Sequence, residues 1–174
     1  MTNFFLKKDI FIKYIPFYMT IILSSISSTI YPPNGYAMTF SFVPLICILF
    51  WSLVLGRYFG PLQFFFIGIV TDLLMGTPIG SYLFLFAIIR FISLKVKEKF
   101  QIKLFYENVI AATTLILVFY LLNNLFLFVY YSKFIVSEYF LLNIILTIFL
   151  YPAFAVFFTW LYKITSLEKY YVKT

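Results

Sequence analysis

The chain has 174 residues, of which 64% are hydrophobic and only 11% charged, and its mean hydropathy is +1.03. A soluble domain averages roughly 45–50% apolar and about 25% charged residues, and a globule this small cannot hide the excess in its core, so the composition selects a membrane protein. The net charge of +7 does not point to nucleic acid, because the basic residues lie in short segments between apolar runs, as charges flanking membrane helices do.

A helix that crosses a bilayer needs about 20 apolar residues, with about 17 near the lower limit. Six runs follow from that rule: Tyr14 to Ile30, Met38 to Leu55, Pro61 to Met75, Ile79 to Leu94, Val109 to Tyr131 and Tyr139 to Tyr162. Turn residues separate several of them, at Pro32-Pro33-Asn34-Gly35, Gly56 to Pro61 and Gly76 to Gly80. Pro44 and Pro152 fall inside runs and are expected to kink them. The charged stretch Lys95 to Glu107 divides the chain into two halves of three helices, with no convincing repeat between them. The expected fold class is therefore all-α, a single membrane domain over 1–174 built as a bundle of about six helices.

Orientation follows from the loops. With both termini inside, Lys7, Lys8, Lys13, Arg57, Arg90, Lys95, Lys97, Lys99, Lys103, Lys163, Lys169 and Lys173 lie on the cytoplasmic side. Only Lys133 lies outside, a division that matches the positive-inside rule. Arg57, Arg90, Lys95, Lys97 and Lys99 are the candidate membrane-surface residues that set this topology. The aromatic content, 25 Phe and 15 Tyr, suits lipid packing with Tyr near the interfaces. The first run also resembles a signal peptide, but it is long, and Tyr31-Pro32-Pro33 is a poor cleavage context. Because the third and fourth runs are short, a re-entrant hairpin is an alternative to two full spans; irregular backbone at that depth needs protein or water around it.

Few residues offer chemistry. With no His, no His-assisted nucleophile or HExxH metal site is available, and no nucleotide loop is present. Cys47, within an apolar run, reads as a small hydrophobic filler. No metal, no cofactor and no enzymatic activity are expected. Asp72 is the one carboxylate inside an expected span. Charge at mid-bilayer costs at least about 2.5–3.5 kcal/mol, so such residues usually face the bundle and mark a site. Three roles are open to Asp72: a neutral or snorkelling residue near a helix end that donates to backbone, a polar link between helices, or a contact to a partner or ligand. Arg90 is the natural counter-charge, but counting from the intervening turn leaves it offset from Asp72 by about 9 Å, so snorkelling to headgroups is the simpler role. Ser27, Ser28, Thr39, Ser41, Asn123, Asn124 and Asn143 are expected near the level of Asp72, either lining an outward recess or serving as interhelical hydrogen-bonding glue. Ser24 and Ser28 form a small-xxx-small pair for close helix approach.

The third and fourth runs join through Gly68-Ile69-Val70-Thr71-Asp72-Leu73-Leu74-Met75-Gly76-Thr77-Pro78-Ile79-Gly80. Gly68, Asp72, Gly76 and Gly80 recur at steps of four, with Pro78 in the turn. Gly68 and Asp72 share a helix face, so the bare Gly68 lets a neighbour approach beside the carboxylate. This pattern, with Pro44 opening an aromatic-rich run to Trp51 before it, resembles the rod shape-determining membrane protein MreD family over about Phe42 to Phe91. The resemblance implies a non-catalytic subunit of the cell-elongation and peptidoglycan-synthesis machinery in the bacterial inner membrane. Its partners would be an MreC-like periplasmic scaffold, an MreB-like actin homologue and peptidoglycan synthases, besides membrane lipids. Asp72, Gly68, Gly76 and Gly80 of this pattern, together with Asn123 and Asn124 from the polar level around Asp72, are candidates for partner or ligand binding, and the resemblance implies a fold similar to the six-helix substrate-binding subunits of energy-coupling-factor vitamin transporters. A vitamin-capturing subunit is the alternative function; the short outer connections favour the scaffold.

The charge division generates a direct test. Reporter fusions at both termini and within Lys95–Glu107 should report cytoplasm, and fusions near Asn34 and Ser137 the outer side. A periplasmic signal from Lys95–Glu107 would overturn the orientation.

Overall fold

The structure, a computed structural model, describes residues 14–29, 42–56, 59–75, 77–100, 105–131 and 138–165. These residues form six α-helices and no strand: α1 (Ile15–Thr29), α2 (Phe42–Val54), α3 (Pro61–Met75), α4 (Ser81–Phe100), α5 (Phe105–Tyr131) and α6 (Glu138–Ile164).

The bundle is organised around α2. Every residue from Val43 to Leu53 is buried, and α2 packs against all five other helices. A helix that is apolar all round belongs in such a central position. Cys47 is fully buried there, as its reading as filler requires. Pro44 lies in the first described turn of α2, where a proline is tolerated. Against this core α6 sets Phe158, whose ring lies 5.2 Å from Phe50 and 5.4 Å from Trp51.

Four hydroxyl side chains of α1 are satisfied by their own helix. Thr20, Ser24 and Ser25 donate to the carbonyls of Pro16, Thr20 and Ile21, and Ser27 to that of Ser24. Thr20, Ser24 and Ser27 form one buried face of small side chains, and α1 packs on α2 and α3. Side-chain hydrogen bonds join α5 and α6, among them Tyr120 with Thr147 at 2.9 Å and Tyr151 donating to Asn108 at 2.5 Å. Such links in lipid are worth roughly 0.6–2 kcal/mol each.

The expected boundaries hold for α3 and shift around the charged stretch. Residues 95–100 continue α4 instead of forming a connection, and α5 starts at Phe105, with Glu107 in its first turn. An acidic residue there complements the helix dipole, which favours starting the helix within the charged stretch. Length also separates the helices. The stretches Phe105–Val129 and Phe140–Ile164 are long and apolar enough to cross a membrane. By contrast α1, α2 and α3 have 15, 13 and 15 residues, about 20–23 Å at 1.5 Å per residue. The 20 residues of α4 end on Lys95, Lys97, Glu98 and Lys99. Thus, among the described residues, two of the six expected spans meet the criterion, and the others are apolar helices shorter or more charged than it requires.

Candidate functional site

The α3–α4 hairpin is the most extensively packed pair of neighbouring helices, and Asp72 is at its closed end. Asp72 lies in the last turn of α3 and is fully buried, at 0% exposure. Its Oδ1 accepts from Thr77 Oγ1 at 2.8 Å, Ser81 Oγ at 2.7 Å and the Tyr82 amide at 2.9 Å. Its Oδ2 accepts from the Gly80 amide at 2.8 Å. All four donors come from the turn and the first residues of α4.

The first amides of a helix have no partner within it, and a side-chain oxygen from the preceding residue usually supplies one. Here that preceding residue is Gly80, which has no side chain and takes a φ of +104° to close the turn. Asp72 supplies the missing oxygen from the neighbouring helix, at the end where the helix dipole favours an acceptor. The Ser81 amide donates to Pro78 O at 3.1 Å. A buried carboxylate without donors would be costly; four hydrogen bonds remove that cost and tie α3 to α4. These bonds make Asp72 a polar link between α3 and α4.

Gly68 sets how closely the two helices approach. A Cβ built there would lie 2.6 Å from Leu83 Cα and 2.9 Å from Leu83 Cβ, contacts that backbone cannot relieve without moving α4. Leu83 follows Tyr82, so the close approach and the carboxylate cap hold the same first turn of α4.

At the open end of the hairpin, Arg90 does not pair with Asp72. Its Nη2 donates to Phe59 O at 2.8 Å, and its guanidinium lies 4.7 Å from the centre of the Phe64 ring. The antiparallel register explains this, because it sets Arg90 beside the start of α3 and Asp72 beside the start of α4. Two turns further along α4, Lys97 Nζ donates to Val54 O at 2.6 Å. It thereby caps the end of α2, beside Gly56 at φ +61°. Partial burial lowers the pKa of this lysine from its ordinary value. Lys97 is therefore a brace between helices as well as a surface charge. Lys95 and Lys99 are exposed, and lie over the rings of Phe91 and Phe100 at 4.3 and 5.7 Å.

None of the other described candidates outside the hairpin hydrogen-bonds to Asp72. Asn123 and Asn124 are half-buried on α5, and neither hydrogen-bonds to the carboxylate. Asn143 O accepts from Thr147 at 2.6 Å, within α6. Gly76, Arg57, Thr39, Ser41 and the Ser28 side chain lie outside the described residues. The residues that complete the cap, Thr77 and Ser81, escaped the sequence reading. The signal was present: two hydroxyl residues flank Pro78-Ile79-Gly80, where a helix start needs a capping oxygen and Gly80 has none.

The chain matches the family model described as rod shape-determining protein MreD over residues 9–161. It belongs to the MreD family. That match extends the resemblance well beyond the hairpin and covers all the described helices except the last residues of α6. No curated protein and no solved structure matches the chain. MreD is a membrane protein family with a role in rod-shape determination, and the braced hairpin is the structural form taken here by the motif that first suggested it.

The cap also changes what a substitution tests. Asn at position 72 would place an NH₂ group where one carboxylate oxygen now accepts, so Asp72→Asn removes hydrogen bonds as well as charge. It is expected to cost about 1–3 kcal/mol of stability, and Gly68→Ala a similar amount through overpacking against Leu83. Gly60→Ala should be nearly neutral, since a Cβ there meets nothing within 4 Å. Thermal unfolding of the three purified variants in mild detergent checks this; equal stability of all three would contradict it.

Proposed function

We propose that this chain is a multi-pass, non-catalytic subunit of the bacterial inner membrane, one that holds partners of the rod-shape machinery together. The observation that carries the proposal is an MreD-family chain whose signature residues serve to brace a helix pair. Asp72 spends its acceptors on its own hairpin, and Gly68 is filled by the backbone of α4. Residues used in this way hold a surface in shape. They do not themselves reach a substrate.

On this reading all six helices are embedded, with α5 and α6 crossing fully and the shorter helices packed around α2. The termini and the basic end of α4 face the cytoplasm, and the Asp72 turn faces outward. The partners fitted to such a subunit are an MreC-like scaffold, an MreB-like filament protein and peptidoglycan synthases. Exposed apolar faces on α5 and α6, including Leu121, Leu125, Ile145 and Phe149, are available to lipid and to partner helices alike.

Depletion of the protein in its rod-shaped host should make the cells widen and round while cell-wall precursor synthesis continues. Complementation should succeed with Cys47→Ala and fail with Gly68→Leu, measured as cell width at matched expression. Rods of normal width after depletion, with tight binding of a small vitamin by the purified protein, would replace this reading with the transport one.

A further inference from the structure

Beside the hairpin brace, the outer surface between α3 and α4 holds a cleft of about 300 Å³. Its walls are aromatic and aliphatic: Phe64 and Phe65 from α3, Leu83, Ala87 and Phe91 from α4. Ala87 makes the space, being the small exposed residue among large ones. One charge, Arg90, lines the cleft, and among the described residues no carboxylate pairs with it. Its one hydrogen bond goes to Phe59 O, and its Nε is buried without a partner.

The cleft is polarised along α4. Leu83, Ala87, Arg90, Phe91 and Leu94 follow one another on a single helical face. The cation therefore lies toward the end that carries Lys95, Lys97 and Lys99, and the opposite end is wholly apolar. A hydrocarbon chain suits the apolar end, and an anion suits a guanidinium with unspent donors. A molecule that joins the two in that order is an anionic phospholipid. Arginine near an anionic leaflet adds about 1 kcal/mol of attraction per charge.

We propose that the α3–α4 cleft binds one anionic phospholipid, its phosphate on Arg90 and an acyl chain along Ala87 between Phe65 and Phe91. The proposal rests on the membrane placement given above and not on the role in cell shape. A lipid seated there would bear on both helices of the braced pair and on the α2–α3 connection that Arg90 holds through Phe59.

The test uses the full chain purified in mild detergent and offered phosphatidylglycerol and phosphatidylcholine in equal amounts, with native mass spectrometry reading the bound lipid. Wild type should retain phosphatidylglycerol over phosphatidylcholine by about fivefold, the ratio expected for one cation. Arg90→Gln should abolish the preference. Ala87→Phe, which fills the cleft and leaves the Arg90–Phe59 bond in place, should reduce retention of both lipids, and it decides the matter if Arg90→Gln does not fold. Equal retention of the two lipids by wild type, or phosphatidylglycerol retention unchanged in Ala87→Phe, overturns the proposal. A photo-crosslinker at position 87 that captures a protein helix in membranes, and no lipid, overturns it in favour of a partner. Purification without any detergent would overturn the membrane placement itself, whereas normal cell width on depletion would leave this proposal standing.

Discussion

A buried carboxylate at the start of a neighbouring helix is the interaction on which this structure depends. Gly80 is needed to reverse the chain, because its positive φ suits few other residues, but a glycine at that position leaves the first amides of α4 without a capping side chain. Asp72 meets the deficit from α3. A group that is expensive in an apolar bundle and a helix start that is expensive without an acceptor thus offset one another. Gly68 completes the arrangement, since only a residue without a side chain allows Leu83 to come close enough for the carboxylate to reach its donors.

The same economy extends to the other end of α4. Lys97 takes a backbone carbonyl at the end of α2, and Arg90 takes one in the connection to α3. The helix is therefore held at its start by an anion-type acceptor and along its second half by two cations. The acceptor suits the dipole of α4 itself, and Lys97 suits the carbonyl end of α2. Because α2 is enclosed by all the other helices, fixing its end through Lys97 connects the hairpin to the core. The surface this organisation presents is apolar and rigidly backed, a suitable substrate for association with lipid and with other membrane helices.

Much of the architecture was legible in the sequence, for identifiable reasons. Apolar runs bounded by Pro and Gly located the helices, and the four-residue steps through Gly68 and Asp72 located the tightest helix pair. The failures also have causes. The charged stretch after Leu94 read as a connection, yet lysine and glutamate are good helix formers, and Glu107 favours a helix start where a loop was expected. Arg90 and Lys97 read as headgroup contacts because one-dimensional charge placement carries no information about which backbone carbonyls lie uncapped nearby. The Asp72 donors were the hardest to see, since a capping oxygen supplied by another helix has no fixed spacing from the amides it serves.

Hydrogen exchange at the closed end of the hairpin tests the central claim most directly. In the detergent-solubilised protein the amides of Gly80 and Tyr82 should exchange slowly. In Asp72→Ala they should exchange much faster, together with the first turn of α4, while α5 and α6 keep their protection. Unchanged protection of Gly80 and Tyr82 in Asp72→Ala would show that the carboxylate does not hold the start of α4 and would contradict the account.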